Sequence, residues 1–141
     1  MTCTFLGHHD APSSLYDTLK KEIERLIFEG VVNFTVGNNG SFDLMVQRIL
    51  CEISKENSKI KISIVLSRIN ELAISGFQES TVFPEGLELA IPKFAICKRN
   101  EWLLGNAQIL ISYVRHTTSN SYKWLKKAKN QGLKIINLAE K

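Results

Sequence analysis

Three short polar segments carry the residue types from which an anion site is built. They are Gly7-His8-His9, Gly37-Asn38-Asn39-Gly40-Ser41 and His116-Thr117-Thr118-Ser119-Asn120-Ser121, and each follows an apolar run. A polar turn that opens a helix presents backbone N–H groups and the positive end of the helix dipole, which suits a phosphate. Gly37 and Gly40 would let the backbone come close to a ligand. Asn38 and Asn39 tolerate left-handed geometry best among residues with a side chain. The same residues also make an ordinary strand-to-helix turn. The pattern is neither G-x-G-x-x-G nor a P-loop, because no Lys-Ser/Thr follows Gly40.

Charged side chains stand close to these segments. Asp43 falls in the first turn of the next amphipathic stretch. It could bind a ribose hydroxyl or a base, or act as a first-turn acid worth about 0.3–1 kcal/mol. Lys98 and Arg99 could clamp a phosphate, with Asn100 beside them. Alternatively Glu101 pairs with Lys98 at i,i+3 on a surface helix and Trp102 packs inward. His8, His9 and His116 lack metal-ligand spacing, so a ligand contact for His8 is the functional reading and no metal site is expected. Cys3, Cys51 and Cys97 are far apart, with no C-x-x-C pair. Neither a disulfide framework nor a zinc site is expected, only reduced buried thiols.

The elements that must position these residues alternate. Strands are predicted at Cys3–Leu6, Asn33–Val36, Ile60–Leu66, Gln108–Val114 and Lys134–Leu138. Leu15, Leu19, Ile23, Leu26 and Ile27 recur at helical spacing, predicting a helix over Ser14–Glu29, capped by Ser13 or Ser14 and closed by Gly30. Phe42, Met45, Val46, Ile49, Leu50 and Ile53 predict a second over Ser41–Lys55. Lys93–Leu104 and Asn120–Gln131 complete the set, the last around Tyr122, Leu125 and Ala128. Residues 67–91, with Gly76, Pro84 and Gly86, read as a long loop. Alternation of this kind implies an α/β, Rossmann-like three-layer sandwich: a mostly parallel five-stranded sheet with helices on both faces. Ligands of such folds bind outside the carboxyl ends of the strands, where the three polar segments would converge.

The chain has 141 residues, is 44% hydrophobic and 23% charged, and carries a net charge of +4. That composition fits one globular domain with a real core. Residues 115–141 hold seven Lys/Arg and one Glu, whereas the rest has a slight acidic excess. Lys123, Lys126, Lys127 and Lys129 read as the solvated face of the last helix, with nucleic-acid binding as the alternative. No basic, apolar leader opens the sequence and no apolar run reaches the roughly 18 residues needed to span a bilayer. A cytoplasmic protein with no membrane partner is expected.

A longer set of residues carries a family resemblance. It comprises Thr2-Cys3-Thr4-Phe5-Leu6-Gly7-His8, Glu29-Gly30-Val31, Gly37-x-x-Gly40-x-Phe42-Asp43, Thr81-Val82-Phe83-Pro84, Pro92-x-Phe94-Ala95-Ile96-x-Lys98-Arg99-Asn100-Glu101-Trp102, Tyr113-Val114 and Ile135-Ile136-Asn137-Leu138. In this order they resemble the YpsA-like family of the SLOG superfamily, named for the Smf/DprA and LOG proteins. The resemblance implies a Rossmann-like pocket for nucleotides, nucleotide-derived signals or sugar phosphates, with no cofactor, and points to a homodimer. The loops and the charged residues beside them give the expected contacts as Gly7, His8, Gly37, Asn38, Asn39, Gly40, Ser41, Asp43, Arg99, Asn100, Thr117 and Ser119. The chain departs from the family where glycines are usual, at Asn38 and at Ser119-Asn120-Ser121, and Gln108 replaces an acid. LOG proteins hydrolyse nucleoside monophosphates and DprA-type proteins bind single-stranded DNA, so these are the alternatives. No Asp or Glu stands between Glu101 and Glu140, which weighs against the hydrolase.

Overall fold

The computed structural model describes residues 1–8, 11–38, 40–65, 81–82, 92–115 and 120–140. Its elements are β1 (Thr2–Gly7), a 3-10 turn (Ser13–Leu15), α1 (Tyr16–Phe28), β2 (Asn33–Val36), α2 (Gly40–Glu56) and β3 (Lys61–Val65). There follow β4 (Thr81–Val82), α3 (Pro92–Gly105), β5 (Ile109–Tyr113), α4 (Asn120–Asn130), β6 (Lys134–Asn137) and a 3-10 turn (Leu138–Glu140). Every strand pair is parallel, in the order β4-β3-β2-β1-β5-β6. The chain builds outward from β1 to β4, then returns to lay β5 on the other side of β1. In folds of this class ligands bind at such a reversal, outside the carboxyl ends of the strands.

The α/β, Rossmann-like architecture is as the sequence predicts, with one more strand. Thr81–Val82 falls within 67–91, and two residues are too few for a period-2 pattern to show. α1 also starts later than its apolar stripe suggests. Neither Ser13 nor Ser14 caps it; both lie in the 3-10 turn, and Leu15 precedes the helix without a side-chain cap. Its end is as expected. Gly30 has φ +104°, its amide bonds to Ile27 and that of Val31 to Leu26, which closes the helix carbonyls with a left-handed residue.

Alternation along the strands divides the core in two. Cys3 and Phe5 of β1 and Ile109, Ile111 and Tyr113 of β5 pack with Leu19, Ile23 and Leu26 of α1 and Phe42, Met45, Val46, Ile49 and Leu50 of α2. Leu6 and Leu110 turn to the opposite face, against Leu103 and Leu104 of α3 and Trp124, Leu125 and Ala128 of α4. A parallel sheet needs this double cover because both of its faces are apolar. Trp124 joins the stripe read from Tyr122, Leu125 and Ala128. Burial of all three thiols is not observed: Cys3 is buried and Cys51 half-buried, but Cys97 is exposed on α3.

Gly7 is where sheet and helix come closest. A Cβ there would lie 2.6 Å from the Phe42 ring, so the end of β1 fits against the first turn of α2 only without a side chain. Gly7→Ala is expected to destabilise the fold by about 1–3 kcal/mol through overpacking. At Gly105, a built Cβ meets nothing within 4 Å. Gly105→Ala is expected to be neutral or to stabilise by up to about 1 kcal/mol. Urea denaturation of the two variants checks both signs.

Candidate anion site at the carboxyl edge of the sheet

Gly37 leaves β2 and is buried. The space its Cβ would fill is occupied by Arg99 Nη1 at 2.5 Å and Cζ at 2.7 Å, with Asp43 Oδ2 at 2.9 Å. Glycine at this position therefore makes room for a guanidinium from α3. Arg99 is 3% exposed, Asp43 4% and Asn100 6%, so a full charge pair lies inside the protein. Asn100 Oδ1 accepts from Arg99 Nε at 3.3 Å and Nη2 at 2.9 Å. Arg99 Nη1 stands 3.9 Å from Asp43 Oδ2, close enough to pair but too far to hydrogen-bond. Among the described residues this nitrogen has no acceptor.

The other flank of the loop is held by α2. Gln47 lies one turn beyond Asp43 on the same helix face. Its Nε2 donates to the Gly37 carbonyl at 2.9 Å and to Asn38 Oδ1 at 3.1 Å. Its Oε1 is buried without an acceptor's partner among the described residues. Gln47 was not singled out in the sequence, though its i,i+4 offset from Asp43 was the available signal. Gly40 opens α2 at φ +89°, a left-handed conformation that favours glycine. Ser41 Oγ donates to the Ala11 carbonyl at 3.3 Å and so ties the segment after β1 to the first turn of α2.

At the reversal point, the His8 amide donates to the Tyr113 carbonyl at 3.2 Å. The Arg115 amide donates to His8 Nε2 at 2.8 Å. Nε2 thus carries a lone pair, and the ring stands edge-on to Tyr113 with centroids 5.9 Å apart. The His8 N–H extends the β1–β5 pairing one residue past Gly7. Arg115, read in the sequence only as part of the basic end, stands 5.5 Å from the Tyr113 ring centroid. Arg115 and Tyr113 line a cavity of about 250 Å³ with Pro12, Ser14 and Leu138.

The structure thus gathers Gly37, Asn38, Asp43, Arg99 and Asn100 in one cluster, with Gly40 and Ser41 at the adjoining helix start and Gly7 and His8 at the end of β1. Asn39, Thr117, Ser119, His9 and His116 lie outside the described residues. Glu101 does not pair with Lys98 but reaches Lys127 of α4 at 3.6 Å. Among the described residues no group of three His, Cys, Asp or Glu side chains is placed to hold a metal ion. No described helix is long and apolar enough to cross a membrane.

No family model matches the sequence, and no curated protein matches it. Its fold has a counterpart among solved structures. The chain aligns with DNA processing protein A (DprA) from Streptococcus pneumoniae at a TM-score of 0.69 and 15% identity, covering 95% of this chain and 48% of that one. The chain spans about half the length of that protein, and the similarity is one of fold.

The buried pair is testable by a double-mutant cycle over Arg99→Met, Asp43→Leu and the two together. Each single substitution breaks a buried charge pair and is expected to cost about 3–5 kcal/mol, whereas the double costs clearly less than the two singles added. Urea midpoints of the three variants against wild type check this. A second test concerns Tyr16, whose hydroxyl donates to the Glu52 carboxylate while Lys20 Nζ pairs with Glu52 at 3.3 Å. Burial, then the bond to Glu52, pushes the phenol up to about 12. Because the folded value is raised, this contribution to stability is complete below the ordinary phenol range near 10 and is lost as pH rises through about 12. Ultraviolet titration is expected to show one phenolate appearing near pH 12 that is missing from Tyr16→Phe.

Proposed function

We propose that the protein binds a nucleotide-derived or otherwise phosphorylated small ligand at the carboxyl edge of its sheet. Arg99 carries the reading. A guanidinium buried to 3% exposure, with Nη1 lacking an acceptor among the described residues, is a donor built for an anion. It borders the segment that opens α2, where the backbone amides and the helix dipole favour negative charge. On this reading the anion lies over Gly40 and Ser41, within reach of Arg99, and Asn38, Asn39, Asp43, Asn100, Thr117 and Ser119 contact the polar remainder. Gly7 and His8 shape the adjoining wall. The family reading goes with it: a YpsA-like, cytosolic, single-domain protein that pairs as a homodimer.

A hydrolase gains little from the geometry. Asp43 is drawn to Arg99, and Glu101 reaches toward α4. Nucleic-acid binding has one observation in its favour: Lys123, Lys126 and Lys129 of α4 are exposed, while Lys127 is occupied by Glu101 and the Trp124 ring.

A thermal-shift series with nucleoside mono- and diphosphates, a dinucleotide and inorganic phosphate tests the reading. Ligand at about 100 times its dissociation constant stabilises by roughly 2.7 kcal/mol and raises the midpoint by several degrees. No shift with any phosphate compound at millimolar concentration overturns it. Binding of an oligonucleotide that weakens steeply with salt and with Lys126→Glu favours the α4 reading instead.

A further inference from the structure

We infer that the non-phosphate end of the ligand is a flat aromatic ring without positive charge, held in a separate cavity on the α1 side of α2. The inference rests on the anion-site reading above. The cavity, of about 310 Å³, is lined chiefly by Ala11, Tyr16, Ser41, Leu44, Met45 and Arg48. That volume lies at the small end of the range for ligand sites, about 300–1,000 Å³.

Ser41 connects the two places. Its backbone belongs to the first turn of α2, its side chain lines the cavity, and its bond to the Ala11 carbonyl sets the distance between the walls. Helical spacing then separates two faces of α2. Asp43 and Gln47 face the buried Gly37 cluster, whereas Ser41, Leu44, Met45 and Arg48 share the neighbouring face. A phosphate over the helix start has close-packed polar groups on one side and an open apolar hollow on the other.

The lining decides the class of ligand. Leu44 is a large apolar side chain left 36% exposed at the lip, and a ring laid on it would take that surface from water. Met45 offers a thioether, which packs well against aromatic edges. Arg48 is exposed and makes no salt bridge among the described residues. Its planar guanidinium attracts an aromatic face and repels a cationic group. No carboxylate is among the described lining residues; Glu52, beyond the Tyr16 hydroxyl, is engaged by that hydroxyl and by Lys20. The hydroxyl of Tyr16 is committed to Glu52, leaving its ring for contact.

Isothermal titration of wild type, Leu44→Gln and Arg48→Gln with inorganic phosphate, phenyl phosphate, glycerol 3-phosphate and phosphocholine tests this at fixed ionic strength. In wild type, phenyl phosphate is expected to bind at least about tenfold more tightly than glycerol 3-phosphate, with phosphocholine the weakest ester. Each substitution is expected to abolish the preference for the ring while inorganic phosphate changes by less than about twofold. If wild type binds the three esters alike, the cavity assignment is wrong and the anion site stands. Equal weakening of phosphate and phenyl phosphate in both variants also overturns the assignment, because the substitutions then act on the anion. If neither phosphate nor any ester binds wild type, the anion-site reading falls and this inference falls with it. Circular dichroism confirms that the variants remain folded.

Discussion

A guanidinium inside a protein must be matched by charge and hydrogen bonds, and this requirement organises the carboxyl edge of the sheet. Arg99 enters from α3, on one face, and Asp43 from α2, on the other. They meet just past the end of β2, where the absence of a side chain at Gly37 leaves the space. Asn100 satisfies Nε and Nη2, and Gln47 holds the Gly37-Asn38 backbone from behind. Removing either partner breaks a buried charge pair, so the arrangement is held as a unit.

The second determinant is the reversal of strand order. Because β5 returns to the side of β1 away from β2, the ends of β1 and β5 become neighbours, and His8 joins them through its amide and its ring. α2 is the element common to everything nearby. Its first turn packs Phe42 on Gly7 and bonds Ser41 to Ala11, while Asp43 and Gln47 reach the Gly37 cluster.

This frame also accounts for a departure from the resembled family. Asparagine at position 38, where glycine is usual, has a place in the packing, since Oδ1 of Asn38 accepts from Gln47 Nε2. The loop tolerates the larger residue because α2 supplies a donor for it. The asparagine thereby adds a fixed polar group at the end of β2.

What the sequence determined by itself was local. Short apolar runs marked five strands, stripes at helical spacing marked three of the four helices, and Gly30 marked the end of α1, because these signals reside in neighbouring residues. The two-residue β4, the uncapped start of α1 and the burial of Trp124 were not legible, since each depends on partners distant in the chain. The candidate site divided the same way. Gly37, Asp43 and Arg99 could be named from residue type, but their meeting, the supporting role of Gln47, the engagement of His8 and the place of Arg115 were decided by tertiary structure. The physical reason is that a buried ion pair and a shared cavity are properties of surfaces brought together by the crossovers, and no local pattern records which surfaces those are.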